Sequence, residues 1–318
     1  MRVSKQPSIA PDRTPFPLLG TPLSDFLFRS TSLVALAASL TLSSACSTLA
    51  PPDSIAPGLA VQTSGFSQAQ FSEILSRHVD GQGKVNYEAL RIDPLPIDAY
   101  YARLAEVSPD RNPEIFPTRD EALAYWINAY NASVIALVVA HYPITSVKEV
   151  RSSALFFLPK LAGFFVLEHV VLGGSTMNLK TLEDRIIRDR FKEPRIHFAL
   201  NCASLSDPRL RRRAFEAPSL SLQLEAATFF FIRERRNVSI EPVYGKISLS
   251  PIFKLYRDDF IQWLKDNRPD RPATLLSYIA PYLSEQQTRA LAECRDCRIE
   301  FREFDWGLNS QPASGNQP

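Results

Sequence analysis

The chain has 318 residues, 45% of them apolar and 22% charged, with 36 basic and 34 acidic side chains. This is enough to bury a sizeable core, in one large domain or two small ones. The first 45 residues hold Arg2, Lys5, Arg13 and Arg29 against Asp12 and Asp25, so the rest is evenly balanced and carries no general footprint for nucleic acid. The runs Arg211-Arg212-Arg213 and Arg233-Glu234-Arg235-Arg236 are local exceptions and read first as solvated surface.

Met1 to Ser24 is rich in Pro and Ser and lacks periodicity, which predicts either a disordered leader or a start site assigned too early. Leu33 to Leu42 then gives about ten apolar or small residues behind Arg29. That run is too short to span roughly 30 Å of hydrocarbon, but it suits a signal-peptide core, with Ser43-Ser44-Ala45 supplying small residues for cleavage. Cys46 follows directly. Small residues before a Cys, behind an apolar core, resemble a bacterial lipoprotein processing site, where the Cys is lipidated and becomes the new amino terminus. Ser43 stands where Leu is usual, so release as a secreted protein stays open beside lipid anchoring at Cys46. Residues 1–45 are thus read as leader and signal peptide, and 46–65 as a tether. The expected location is the periplasm or outer membrane, or outside the cell.

Downstream, capping signatures mark helix starts. Ser67 with Gln70, Thr118 with Glu121 and Ser284 with Gln287 have the spacing of a capping box. Ser250-Pro251 reads as an N-cap before Pro at the first helical position, opening a helix to about Trp263. Residues 178–190 and 219–235 also read as helices. The segment from Thr118 to about His141 carries no charge from Ala122 to Ala140, but Asn128, Asn131 and Ser133 argue for a helix wrapped by its own domain, not by lipid. Asp80 to Lys84 reads as a turn before a strand at Val85-Asn86-Tyr87. Phe164 to Leu172 with Met177 to Leu179, and Val238 to Ile240 with Lys246 to Leu249, read as hairpins. Arg195 to Leu200 and Arg298 to Phe301 read as further strands. The fold expected is α+β: a mostly helical single domain over 66–309, with a small antiparallel sheet built from hairpins and a disordered tail at 310–318.

Two features could carry chemistry. Asn128 and Asn131, three apart, leave one face of their helix; they either fix a neighbouring loop or line a polar pocket. In Arg195 to Ser204, strand alternation puts His197 on one face and Ile196, Phe198 and Leu200 on the other, with Cys202 at the strand end. A Cys near a His can form a thiolate–imidazolium pair, and an Asn can orient the imidazole. The bland alternative is a small buried Cys and a satisfied core His. The four histidines show no metal-ligand spacing, and Cys294-x-x-Cys297 stands alone, so a local disulfide is the simpler reading there. No cofactor is expected.

Tyr125 to Ala132, Asp80-Gly81 through Tyr87, Arg195 to Ser204, Leu249 to Phe253 with Asp258-Asp259-Phe260, and Asp305 to Asn309 together resemble, in order, the motifs of the Domain of Unknown Function 547 family. The resemblance implies that Asn128, Asn131, His197 and Cys202 belong to one pattern, and it implies no established reaction. Asp207-Pro208 stands where that family often carries a second Cys and Pro, which weakens a dithiol mechanism. Two functions stay open. One is a non-catalytic binding or scaffold module with an unknown protein or peptide partner. The other is a thiol-dependent hydrolase or acyltransferase with Cys202 as nucleophile, His197 as base and Asn128 or Asn131 orienting.

Overall fold

Thr118 starts the longest helix, Arg119–His141. Its hydroxyl accepts from the Glu121 amide at 3.2 Å, and the Glu121 carboxylate accepts from the Thr118 amide at 2.8 Å, so the capping box read from the sequence forms. In the computed structural model, which describes residues 47–52, 65–151 and 159–312, this helix is α4. The leader, the signal-peptide core and Cys46 lie outside the described residues. Every residue of α4 from Leu123 to Val138 is buried. The helix is long and apolar enough to cross a membrane, yet 89% of its apolar window is enclosed by the protein itself. A helix apolar on all sides finds its partners in neighbouring elements, and here they surround it.

Those neighbours are α2 (Tyr87–Ile92), α3 (Leu95–Glu106) and a helix of mixed type over 179–191 whose middle, Leu182–Arg188, is π-helical, with α1 (Ala69–His78) packed on α3 and α2. A second core lies beyond Phe198. An aromatic group, Phe231, Phe253, Phe260 and Tyr278, packs together among aliphatic side chains there. Its walls come from α5 (Leu220–Arg233), α6 (Pro251–Leu255), α7 (Arg257–Asn267), α8 (Leu275–Ile279) and α9 (Glu285–Glu293).

The fold is 54% helical, with two small three-stranded mixed sheets. In the first, β2 (Glu168–Leu172) and β3 (Ser175–Asn178) form a hairpin, and β1 (Ser47–Leu49) adds in parallel to β2. The hairpin turn needs Gly173: its φ is +56°, and a Cβ there would meet the Ser108 hydroxyl at 2.0 Å. In the second sheet, β4 (Val238–Glu241) and β5 (Lys246–Leu249) form the hairpin, and β6 (Arg298–Phe301) runs parallel to β5. Hairpins build both sheets, as the sequence suggests, but each is completed by a strand from far along the chain. The tether read over 46–65 therefore begins with a strand held on the body. At the other end, pairing continues past Asn309, with Ser310 bridged to Val85.

Several local expectations are corrected. Arg195 to Leu200 is not a strand: Pro194–Phe198 is a 3₁₀ helix opened by Pro194 and capped by the Glu193 carboxylate. The alternate-face argument for His197 fails with it. Phe164 to Leu167 belongs to a π-helical turn, Gly163–Leu167, so β2 starts later. Ser67 and Gln70 form no capping box; α1 has Gln68 at its N-cap, and its side chain caps nothing. Val85 makes only isolated bridges, and Asn86 caps α2 by accepting from the Ala89 amide at 2.9 Å. The helix expected from Ser250 to Trp263 breaks at Tyr256 into α6 and α7.

Candidate functional site

The two amides of α4 are clamps on backbone. Asn128 donates to the Phe215 carbonyl at 2.8 Å and accepts from the Phe215 amide at 2.9 Å. Asn131 donates to the Ala199 carbonyl at 3.0 Å and accepts from the Asn201 amide at 2.9 Å. Both residues are buried, so these are the groups that would otherwise go unpaired. The shared face does bring Asn131 to the Cys202 loop. Asn128 goes elsewhere, to the segment leading into α5, and does not join Cys202 and His197.

Beyond Asn131 the chain forms a tight loop, residues 201–208. Asn201 accepts from the Ala203 amide and from Asn309 Nδ2, and it donates to the Pro208 carbonyl. Asn309 in turn accepts from the Tyr87 hydroxyl at 2.8 Å. Ala203 is left-handed, with φ +67°, a conformation that costs a non-glycine residue roughly 1–2 kcal/mol. It is held there by hydrogen bonds on both sides, since its carbonyl accepts from the Asn309 amide at 3.1 Å. The backbone is thereby bent into a concavity of amides.

Asp207 fills that concavity. Its Oδ2 accepts from the Cys202 amide at 2.7 Å and the Ser204 amide at 2.8 Å, and its Oδ1 accepts from the Cys202 thiol at 3.1 Å. Burial lifts the Asp207 carboxyl to about 6, against the hydrogen bonds that favour its charge. The thiol is raised well above its usual range, by burial first and then by the negative charges of Asp207 and Glu183. Cys202 is half-buried and is the free cysteine among the described residues. Behind it lies Glu183, pushed up by burial although Tyr256 donates to it at 2.6 Å.

His197 belongs to a neighbouring set. Its Nε2–H donates to Asp259 at 2.8 Å, and its ring stacks on Tyr256 with centroids 3.7 Å apart. Arg188 grips the same carboxylate at 2.9 and 3.1 Å. Asp259 is held below the usual carboxylate range by its hydrogen bonds to His197 and Arg188, which overcome its burial. Burial lowers His197 despite that carboxylate, so the imidazole stays neutral at physiological pH. The expected Cys202–His197 pair is therefore not made. The thiol donates to Asp207, and the imidazole is committed to Asp259 on α7.

Sequence reasoning missed Asp207 and Glu183 as members of the cluster. Asp207 had a visible signal, a short acidic side chain five residues after Cys202 in a loop, where carboxylates bond to nearby amides. Glu183 had none beyond its place on a helix. Cys294 and Cys297 are joined by a disulfide, with Cα atoms 5.2 Å apart, at the far end of the chain. Among the described residues no group of three His, Cys, Asp or Glu side chains is arranged to hold a metal ion.

Residues 116–232 match the model of a family described as "Protein of unknown function, DUF547". This span runs from just before α4 almost to the end of α5 and includes Asn128, Asn131, Glu183, His197, Cys202 and Asp207. Asp259 and Asn309 fall outside it, as do the early and late motifs of the sequence resemblance. No curated protein and no solved structure matches the chain.

Proposed function

We propose that the chain is a binding or scaffold module of the cell envelope, and that its Cys202 loop is built to hold a shape. The observation that carries this reading is the Cys202 thiol donating to Asp207, with no imidazole beside it to take its proton. A nucleophilic cysteine needs its thiolate, and surrounding carboxyls oppose that state. The other candidates are also engaged: both amides are bound to backbone, and His197 is neutral and bound. The partner would be a protein or peptide. Export and lipid attachment at Cys46 are part of the same proposal, tested by incorporation of a fatty-acid probe that Cys46→Ala abolishes.

The test of the loop is iodoacetamide labelling of the intact protein at neutral pH. Cys202 is expected to react far more slowly than in the unfolded chain, and Cys202→Ala to keep the melting temperature within a few degrees. Rapid native labelling would overturn the reading. The second reading, a thiol-dependent hydrolase or acyltransferase using Cys202 and His197, is favoured by one observation, the strained backbone at Ala203 next to Cys202. A turnover product that vanishes with His197→Ala at unchanged melting temperature would establish it.

A further inference from the structure

Helix α5 is apolar on two opposite sides. Leu220, Leu224, Phe231 and Ile232 are buried, yet Leu222 is 75% and Phe230 66% exposed. At 100° per residue, Leu222, Ala226, Phe229, Phe230 and Arg233 fall on one stripe, opposite the buried side. A single exposed leucine is ordinary, but a helical stripe of protruding apolar side chains marks a contact surface.

Several arginines around this stripe are not matched by an acidic partner. Arg233 lies 3.5 Å over the Phe229 ring and donates to the Tyr282 and Leu283 carbonyls. Arg211 donates to the Gln223 carbonyl, next to Leu222, and Arg212 to the Ser76 carbonyl. Among the described residues, Arg211, Arg212, Arg213 and Arg233 form no ion pair with an acidic side chain, whereas Arg195, Arg209, Arg235 and Arg236 all do. Glu225, beside the stripe, is neutralised by Arg195 at 3.2 Å. Glu216 forms no ion pair among the described residues, and Asp120 and Glu121 lie with Arg119 against Ala217 and Pro218 at the foot of the helix.

We propose that this outer face of α5 docks the protein on an anionic lipid surface. Leu222 and Phe230 would enter the headgroup–acyl boundary, with the four arginines over the phosphates. The shape favours lipid over a protein groove. Protruding side chains insert into a soft interface, while a stable protein contact wants about 800 Å² per partner, far more than this short stripe offers. Arginine suits phosphate because its planar fork binds two oxygens at once. The proposal is independent of the Cys202 loop and holds whether or not that loop turns over a substrate.

The experiment uses the full chain carrying Cys46→Ser, so that no acyl chain is attached, with every variant sharing the same amino-terminal segment. Cosedimentation is measured with vesicles of phosphatidylglycerol and phosphatidylcholine, and with phosphatidylcholine alone. Binding to the anionic vesicles is expected, falling steeply with salt. Removing each surface arginine should weaken it about fivefold, so Arg212→Gln with Arg213→Gln should weaken it about twenty-five-fold. Leu222→Ser with Phe230→Ser should weaken it by at least about tenfold at unchanged melting temperature, since both side chains are exposed. Equal binding to both vesicle types, or anionic binding that none of these variants reduces, would overturn the proposal. A dimer that dissociates with Phe230→Ser would also overturn it, by assigning the face to a second copy of the chain.

Discussion

Replacing Asn131 with Leu keeps the volume and removes both hydrogen bonds. The Ala199 carbonyl and the Asn201 amide then lose the partners they hold at 3.0 and 2.9 Å, in a place where Asn131 is 3% exposed and water does not replace it. Each orphaned group costs about 1–3 kcal/mol, so the expected loss is about 2–6 kcal/mol, a large share of the stability of an ordinary domain. At roughly 2–4 °C per kcal/mol for a body of this size, the melting temperature should fall by about 4 °C at least. Asn128→Leu orphans the Phe215 carbonyl and amide and should cost a similar amount. The two variants differ in a second readout. Only Asn131→Leu frees the backbone next to Cys202, so only it should speed native-state labelling of that thiol. Denaturation with urea and iodoacetamide kinetics measure both effects. A loss below about 1 kcal/mol for Asn131→Leu, or equal labelling rates in the two variants, would refute the clamp argument.

Asp207 gives a pH signature. Its folded value of about 6 lies above the ordinary 3.8, so between these the folded state keeps a proton that the unfolded chain has lost. This contribution is fully present below 3.8 and disappears as pH rises through about 6, and its size is at most about 3 kcal/mol. Asp207→Asn should remove that slope. The difference between variant and parent isolates it from His197, whose lowered value acts oppositely by destabilising the fold on acidification below 6.5. Parallel stability curves for the two proteins between pH 4 and 6 would disprove the assignment. Gly163→Ala should cost several kcal/mol by thermal melting, because its Cβ would sit 1.8 Å from the Val150 carbonyl oxygen; a loss of only the ordinary ~1 kcal/mol would mean the two segments part easily. Reducing Cys294–Cys297 closes no large loop, so a loss of no more than about 2 kcal/mol is expected on adding a reductant, with the Cys202 loop unaffected.

Elements whose signals are local were legible in the sequence. Thr118 and Glu121 are three residues apart and settle the start of α4 by themselves. The two hairpins announce themselves by Gly between short apolar runs. The 3₁₀ turn at Pro194–Phe198 was not legible, because six alternating residues fit either a strand or a tight helix. Pro194 and the Glu193 cap open it, and Asn131, 68 positions from Ala199, takes the carbonyl just past its end. The same holds for the site. Placing Asn128 and Asn131 on one face was sound, but their partners lie 87 and 68 positions away and only tertiary packing names them. Proximity in sequence suggested that His197 would serve Cys202. Asp259, 62 positions on, claims it instead.

The stretch around Asn309 fastens pieces made at very different times. The Val85 amide, the Ala203 carbonyl and the Thr145 carbonyl all wait for residues 308 and 309. Joining positions 85 and 309 through a flexible chain carries an entropic penalty of roughly 5 kcal/mol, recovered only once the intervening body has condensed. A nascent chain therefore cannot lock its thiol-bearing bend until these late residues emerge. Losing the stretch after Phe304 would leave α4 and its helices assembled around an unlatched hinge.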